Sequence, residues 1–277
     1  MAALDDSGLR AHLCTLPPAR MLYTDLDGTL LGPDGSLLTG PDGRPSTRAA
    51  QALVTAADAG LTVVPVSGRR REQLENDARL MGLRSCIAEA GCVVVRDGQA
   101  RYQWGQCPAG LADNPHDALD EAGAVAALLE AFAGDLRPYE PWHLGREGSH
   151  LLHGLIDVEK ANAVLSEAGF GWAYVIDNGA TGGWPGREVR AYHLLPRGVG
   201  KATAVADDLA ARGLSPQEAA ACGDSLEDLR MAEVVGTYLQ VANGHGEPGG
   251  RVFGVAGAMG DGFADAVTAL LEARRDG

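Results

Sequence analysis

Two carboxylates one residue apart, Asp25 and Asp27 in "MLYTDLDGTLLGPDG", stand directly after a short apolar run and before a glycine. Acids at i and i+2 on a strand tip can turn one carboxylate toward a metal and a reacting phosphorus while the other reaches the leaving oxygen. Side by side and unscreened they would repel, and one would resist ionising. A divalent cation relieves that repulsion. Magnesium suits such a site, because it takes one or two carboxylates, keeps several waters and completes its shell with a substrate phosphate. The plainer reading of the pair is a solvated turn with an Asx-type cap.

Three further stretches carry groups of the same kind. "SGR" puts Ser67, Gly68 and Arg69 after the apolar run "LTVVPV", where a hydroxyl and backbone N–H groups could bond phosphate oxygens or merely cap a helix. "GVGK" sets Lys201 at a helix start. "GDSLED" holds Asp224 and Asp228 four apart, so a helix opening near Ser225 turns both to one side. Acids in a first turn are also favoured by the helix dipole alone.

The elements that position these residues read as alternating strands and helices, the pattern of a parallel α/β sheet. Ligands of such sheets bind beyond the carboxyl ends of the strands, so "DLDGT", "SGR" and "GDSLED" share an address. "ARMLYT" reads as a buried strand. "STRAAQALVTAADAG" reads as a helix with Ser46 as N-cap, Ala50, Leu53, Val54 and Ala57 on its apolar face and Gly60 at its end. "CIAEAGCVVV" is strand material. From about Asp97 the texture changes to an α+β insert rich in Trp and His, with strands expected at "HLLHGLID", "WAYVID" and "REVRAYHLL". A regular βα rhythm resumes at "GKATAVADDLAARG" and closes on the helix "DGFADAVTALLEARR".

At 277 residues, with 45% hydrophobic and 22% charged residues, the chain has ordinary globular composition. Its net charge of −14 argues against general nucleic-acid binding, which rests on clustered Lys and Arg. Five scattered cysteines show no zinc spacing and read as reduced core thiols. The sequence shows no signal peptide and no apolar run of membrane-spanning length, so a cytoplasmic protein without membrane partners is expected.

Taken together and in order, Asp-x-Asp-Gly-Thr, Ser, Lys and Gly-Asp-Ser-x-x-Asp strongly resemble the motif set of the haloacid dehalogenase superfamily. The insert between the Ser and Lys motifs resembles the branch with a large α/β cap, which includes Cof-like phosphatases, sucrose-phosphate phosphatase and mannosyl-3-phosphoglycerate phosphatase. The resemblance implies an α/β fold: a Rossmann-like parallel-sheet core in residues 1–97 and 195–277, with an inserted α+β cap in 98–194. It implies a magnesium-dependent phosphomonoesterase acting on a small phosphorylated metabolite, a sugar phosphate, through an aspartyl-phosphate. Asp25 would be the nucleophile, and Asp27 the general acid and then base. Magnesium would be held by the Asp25 carboxylate, the Asp27 carbonyl and the Asp224 carboxylate, with Asp228 orienting that shell. Ser67 and Lys201 would grip the transferring phosphoryl oxygens.

A sugar phosphomutase uses a similar core and cap, and a non-catalytic sugar-phosphate-binding protein is a third reading. The latter predicts erosion of the nucleophile or lysine, yet both are present. Relatives of this branch commonly carry Asn where Glu227 stands, and a solvent-facing Glu227 is the expectation. Asn243 in "VANG" resembles a position close to the metal shell. For substrate contacts the candidates are Gly68, Arg69, Arg187, Arg190, His193 and Asn243; alternate residues of "GREVRAYHLL" would share one strand face. His143, Arg146 and His150 form a second polar set.

Overall fold

The computed structural model describes residues 6–276. The chain divides into two compact units, one made of residues up to 67, 76–86 and from 201 onward, the other of 68–75 and 87–200.

In the first unit the described residues build a parallel five-stranded sheet. Its order is Val252–Gly254, Thr237–Gln240, Ala219–Gly223, Met21–Thr24 and Thr62–Pro65. "MLYT" and "AAACG" are buried throughout, as central parallel strands covered on both faces must be. The register aligns their carboxyl ends: Thr24 lies opposite both Pro65 and Cys222. The ladder continues one step, with Val66 N donating to Thr24 O and Asp25 N to Cys222 O. Asp25, Ser67 and Asp224 therefore leave the sheet at one edge.

The helix after the opening loop runs Arg48–Asp58; Thr47 holds the N-cap position without a side-chain cap bond, and the hydroxyl of the expected cap, Ser46, accepts from Arg48 N at 3.3 Å. Its buried face is Ala49, Ala52, Leu53 and Ala56, one position round from the expected face, and Val54 is 62% exposed. The reason is close helix packing. A Cβ on Gly260, in the C-terminal helix Met259–Asp276, would come within 2.9 Å of the Ala49 Cβ, so only small residues fit between the two helices.

The second unit contains an antiparallel sheet ordered Leu136–Pro138, His150–Gly154, Val189–Pro196 and Ala173–Thr181. Helices Pro115–Glu121, Ala124–Ala131 and Val158–Glu167 supply Leu119, Leu128 and Leu165 to its core, packed with Leu152, Tyr192 and Leu194. "CIAEAGCVVV" is two strands, Cys86–Ala88 and Val93–Arg96, parted by a tight turn in which Glu89 and Ala90 take positive φ. The texture of the sequence places a border near residue 97, whereas the compact units part after Cys86. Val93–Arg96 pairs with Gln99–Tyr102 across Asp97 and Gly98, both at positive φ, and this two-residue hairpin keeps the segment in one unit. No helix among the described residues is long and apolar enough to cross a membrane.

Candidate active site

Lys201 opens the helix Lys201–Ala211 and is buried; its Nζ donates to Asp25 Oδ1 at 2.6 Å and to Asp228 Oδ1 at 2.5 Å. Asp228 sits in the first turn of the short helix Leu226–Leu229 and completes a capping box with Ser225. The Ser225 hydroxyl donates to Asp228 Oδ2 at 2.6 Å, and Asp228 N donates back to it at 3.1 Å. Both oxygens of this carboxylate are thus engaged, one by the cap and one by the lysine.

Asp224 is anchored by Thr29, whose hydroxyl donates to Asp224 Oδ1 at 3.0 Å. Gly28 makes that approach possible: φ is +88°, and a Cβ there would stand 2.8 Å from Asp224 Oδ2. One carboxylate oxygen from each of Asp25, Asp224 and Asp228 lies within 4.8 Å of the others, a spacing that can hold a metal ion. All-oxygen carboxylate donors are the chemistry a hard cation such as magnesium requires, so the residues fit the expected ion.

The electrostatics point the same way, since three carboxylates share one ammonium. Burial, with the Asp228 charge next, pushes the Asp25 carboxyl up to about 8 despite the pull of Lys201. Asp224 is raised as well, by burial and then by Asp228. Burial works against the Lys201 ammonium, but Asp228 and Asp25 outweigh it and hold its pKa above the ordinary value.

The remaining sequence candidates fall in different places. Asp27 is exposed beside this cluster's loop, and Ser67 is buried two residues past the strand Thr62–Pro65. The Asn243 amide donates to Gly28 O at 2.8 Å and accepts from Met259 N at 2.8 Å, tying two loops together. Glu227 does not simply face solvent. Its side chain keeps 21% exposure, Arg230 lies at 4.0 Å, and burial raises its pKa.

In the second unit, His193 lies against Gly68, where an added Cβ would stand 2.8 Å from its Nε2, and Arg146 Nη2 donates to Gly68 O at 2.9 Å. Arg69, the next residue, offers its carbonyl to Glu89 N at 3.0 Å. Arg187, Arg190 and His193 do not form one face. The strand begins at Val189, beyond Arg187, which pairs with Asp135 at 3.2 Å. Arg190 and His193 are an odd number of residues apart and point oppositely; Arg190 is held by Asp177 at 2.5 Å.

Sequence reasoning passed over Thr29, although it closes the quoted Asp-x-Asp-Gly-Thr. It also passed over Glu89, which is fully buried and accepts from the backbone N–H groups of Glu147, Gly148 and Ser149, each at 3.0 Å. No local pattern marks a carboxylate whose partners lie far along the chain.

The fold is similar to that of solved haloacid dehalogenase-like hydrolases, the superfamily that the motif set resembles. Among solved structures the chain is similar to the sucrose-phosphatase of Synechocystis, with a TM-score of 0.64 and 16% identity over 91% of this chain and 98% of that one. A haloacid dehalogenase-like hydrolase from Bacteroides thetaiotaomicron gives a TM-score of 0.60 and 16% identity over 90% and 98%. Among curated proteins it is similar to the phosphoglycolate phosphatase of Methanoculleus marisnigri, 28% identical over 90% of this chain and 95% of that protein. A protein of the same name from Pyrobaculum aerophilum is 29% identical over 91% and 96%. No family model matches the chain.

Proposed function

We propose that this chain is a magnesium-dependent phosphomonoesterase that hydrolyses a small phosphorylated metabolite through an aspartyl-phosphate. The observation that carries the reading is the cluster of Asp25, Asp224 and Asp228, of which the buried Asp25 and Asp228 share the ammonium of Lys201, with more negative charge than that one ammonium balances. Asp25, the Asp27 carbonyl and Asp224 would hold the cation. When bound it supplies charge neutralisation for the phosphoryl oxygens and frees Asp25 from its neighbours' repulsion.

Asp25 attacks phosphorus, the bond to the leaving oxygen breaks, and that oxygen takes a proton from Asp27. A water then attacks the phosphorylated Asp25, giving its proton to Asp27 and releasing inorganic phosphate. Lys201 fixes Asp25 in line and compensates its charge, while the Ser67 hydroxyl binds a phosphoryl oxygen. Positioning and neutralisation of this kind are the main demands of phosphoryl transfer.

Residues 98–194 are read as the cap, which selects the leaving group. A sugar phosphate is the substrate the resemblance suggests; the phosphoglycolate phosphatases among the relatives favour a second, smaller one, an acidic two-carbon phosphoester. A panel containing 2-phosphoglycolate and hexose phosphates, read by phosphate release in magnesium, separates the two. Release without a bisphosphate activator marks a hydrolase, and phosphoryl return to a sugar with no free phosphate would mark a mutase and overturn the reading.

A further inference from the structure

Away from the acidic cluster, the second unit brings three histidines from separate segments together: His116 in the first turn of the helix Pro115–Glu121, His143 in the loop after Leu136–Pro138, and His150 at the start of its strand. One ring nitrogen of each lies within 4.8 Å of the others. In each ring one nitrogen is already engaged. His116 Nδ1 meets Asp117 Oδ1 at 3.0 Å, His143 Nδ1 meets Leu151 O at 3.0 Å, and His150 Nε2 meets His116 O at 3.0 Å.

Those acceptors fix the tautomers. A carbonyl or carboxylate takes an N–H, so the proton sits on Nδ1 of His116 and His143 and on Nε2 of His150, leaving a lone pair on the opposite nitrogen. His150 Nδ1 is buried with no hydrogen-bond partner among the described residues, and the residue is 1% exposed. A buried acceptor left without a donor is costly, unless its partner is something other than a hydrogen. Imidazoles each oriented through the far nitrogen by a carbonyl or carboxylate are the arrangement in which metal-binding histidines are held.

The geometry points to a transition-metal site of the Zn2+ class formed by His116 Nε2, His143 Nε2 and His150 Nδ1. Nitrogen donors distinguish it from the all-carboxylate cluster, which suits a hard cation. Asp120, one helical turn after His116, lies 3.9 Å from His150 Nε2, on the far side of that ring from Nδ1, so the fourth position is left to water. His116 lies flat on His150, ring centroids 3.8 Å apart and planes inclined by 18°. Lone pairs point along the ring planes, so ligation requires the His116 ring to swing out of this stack, shifting its contact with Asp117. The bound ion would clip the helix start, the loop and the strand to one another. Burial keeps His150 and His143 neutral near pH 7, the form that binds metal.

The test is a calorimetric titration of the whole chain with Zn2+ in excess magnesium, on the wild type and on His116→Gln, His143→Gln and Asp224→Asn. The site predicts one equivalent of Zn2+, weakened about tenfold or more in either histidine variant and unchanged in Asp224→Asn. Histidine side-chain 15N NMR of the wild type needs no variant to fold: Zn2+ should move His116 Nε2, His143 Nε2 and His150 Nδ1. No uptake, uptake indifferent to both histidine variants, or those three nitrogens left unmoved overturns the site. Because none of these readouts depends on turnover, its failure leaves the phosphatase reading standing, and the reverse.

Discussion

Lys201 works as a counterion before it works as anything else, since its ammonium bridges two buried carboxylates. Replacing it by Met should cost about 3–5 kcal/mol in urea unfolding, because the acids are left buried and uncompensated. Asp25→Asn has the opposite structural effect, removing a charge the site disfavours. It should melt no lower than wild type while phosphate release falls by ~10³-fold or more; near-native turnover would strip Asp25 of its role. At His150 the sign is set by burial, aided by His116, which lowers its pKa from 6.5 to about 3. The unfolded chain then binds the extra proton first, so stability is full above 6.5 and declines as pH falls toward 3. The slope contributed is up to ~1.4 kcal/mol per pH unit. Unfolding free energies measured in EDTA across that range should show it, and His150→Asn should flatten it.

At the scale of elements, the loop after the first strand is held by the left-handed Gly28 and its contact with Asp224. Gly28→Ala should cost about 1–3 kcal/mol and weaken magnesium binding, seen as a lower melting temperature and a smaller gain on adding the ion. This loop was legible from sequence because its chemistry is local: acid spacing, glycine and threonine stand within five residues. The strand tips were legible for the same reason, each apolar run being followed at once by its polar residue. The helix face at Ala49 was not, since a period of 3.6 fits either neighbouring stripe and the choice falls to Gly260 in a distant helix. The partners that Arg187, Arg190 and Asn243 take in the structure, Asp135, Asp177 and Gly28, were not legible, because none of them is adjacent in sequence. The unit border moved because a hairpin turn, Asp97–Gly98, reads as a change of texture when it is a bend within one structure.

For the whole molecule, the acidic cluster predicts that EDTA abolishes phosphatase activity and magnesium restores it, with a rise in melting temperature, since an ion bound only by the folded form stabilises it. An enzyme whose activity survives exhaustive chelation would not use this cluster as described. The first strand, Met21–Thr24, is central, yet one of its two neighbours, Ala219–Gly223, comes from the far end of the sequence. As the nascent chain leaves the ribosome, that flank presents bare amides and carbonyls until Ala219–Gly223, in the last quarter of the sequence, has been made. A truncation ending before Ala219 should therefore aggregate rather than fold, and the full chain should depend on chaperones during translation.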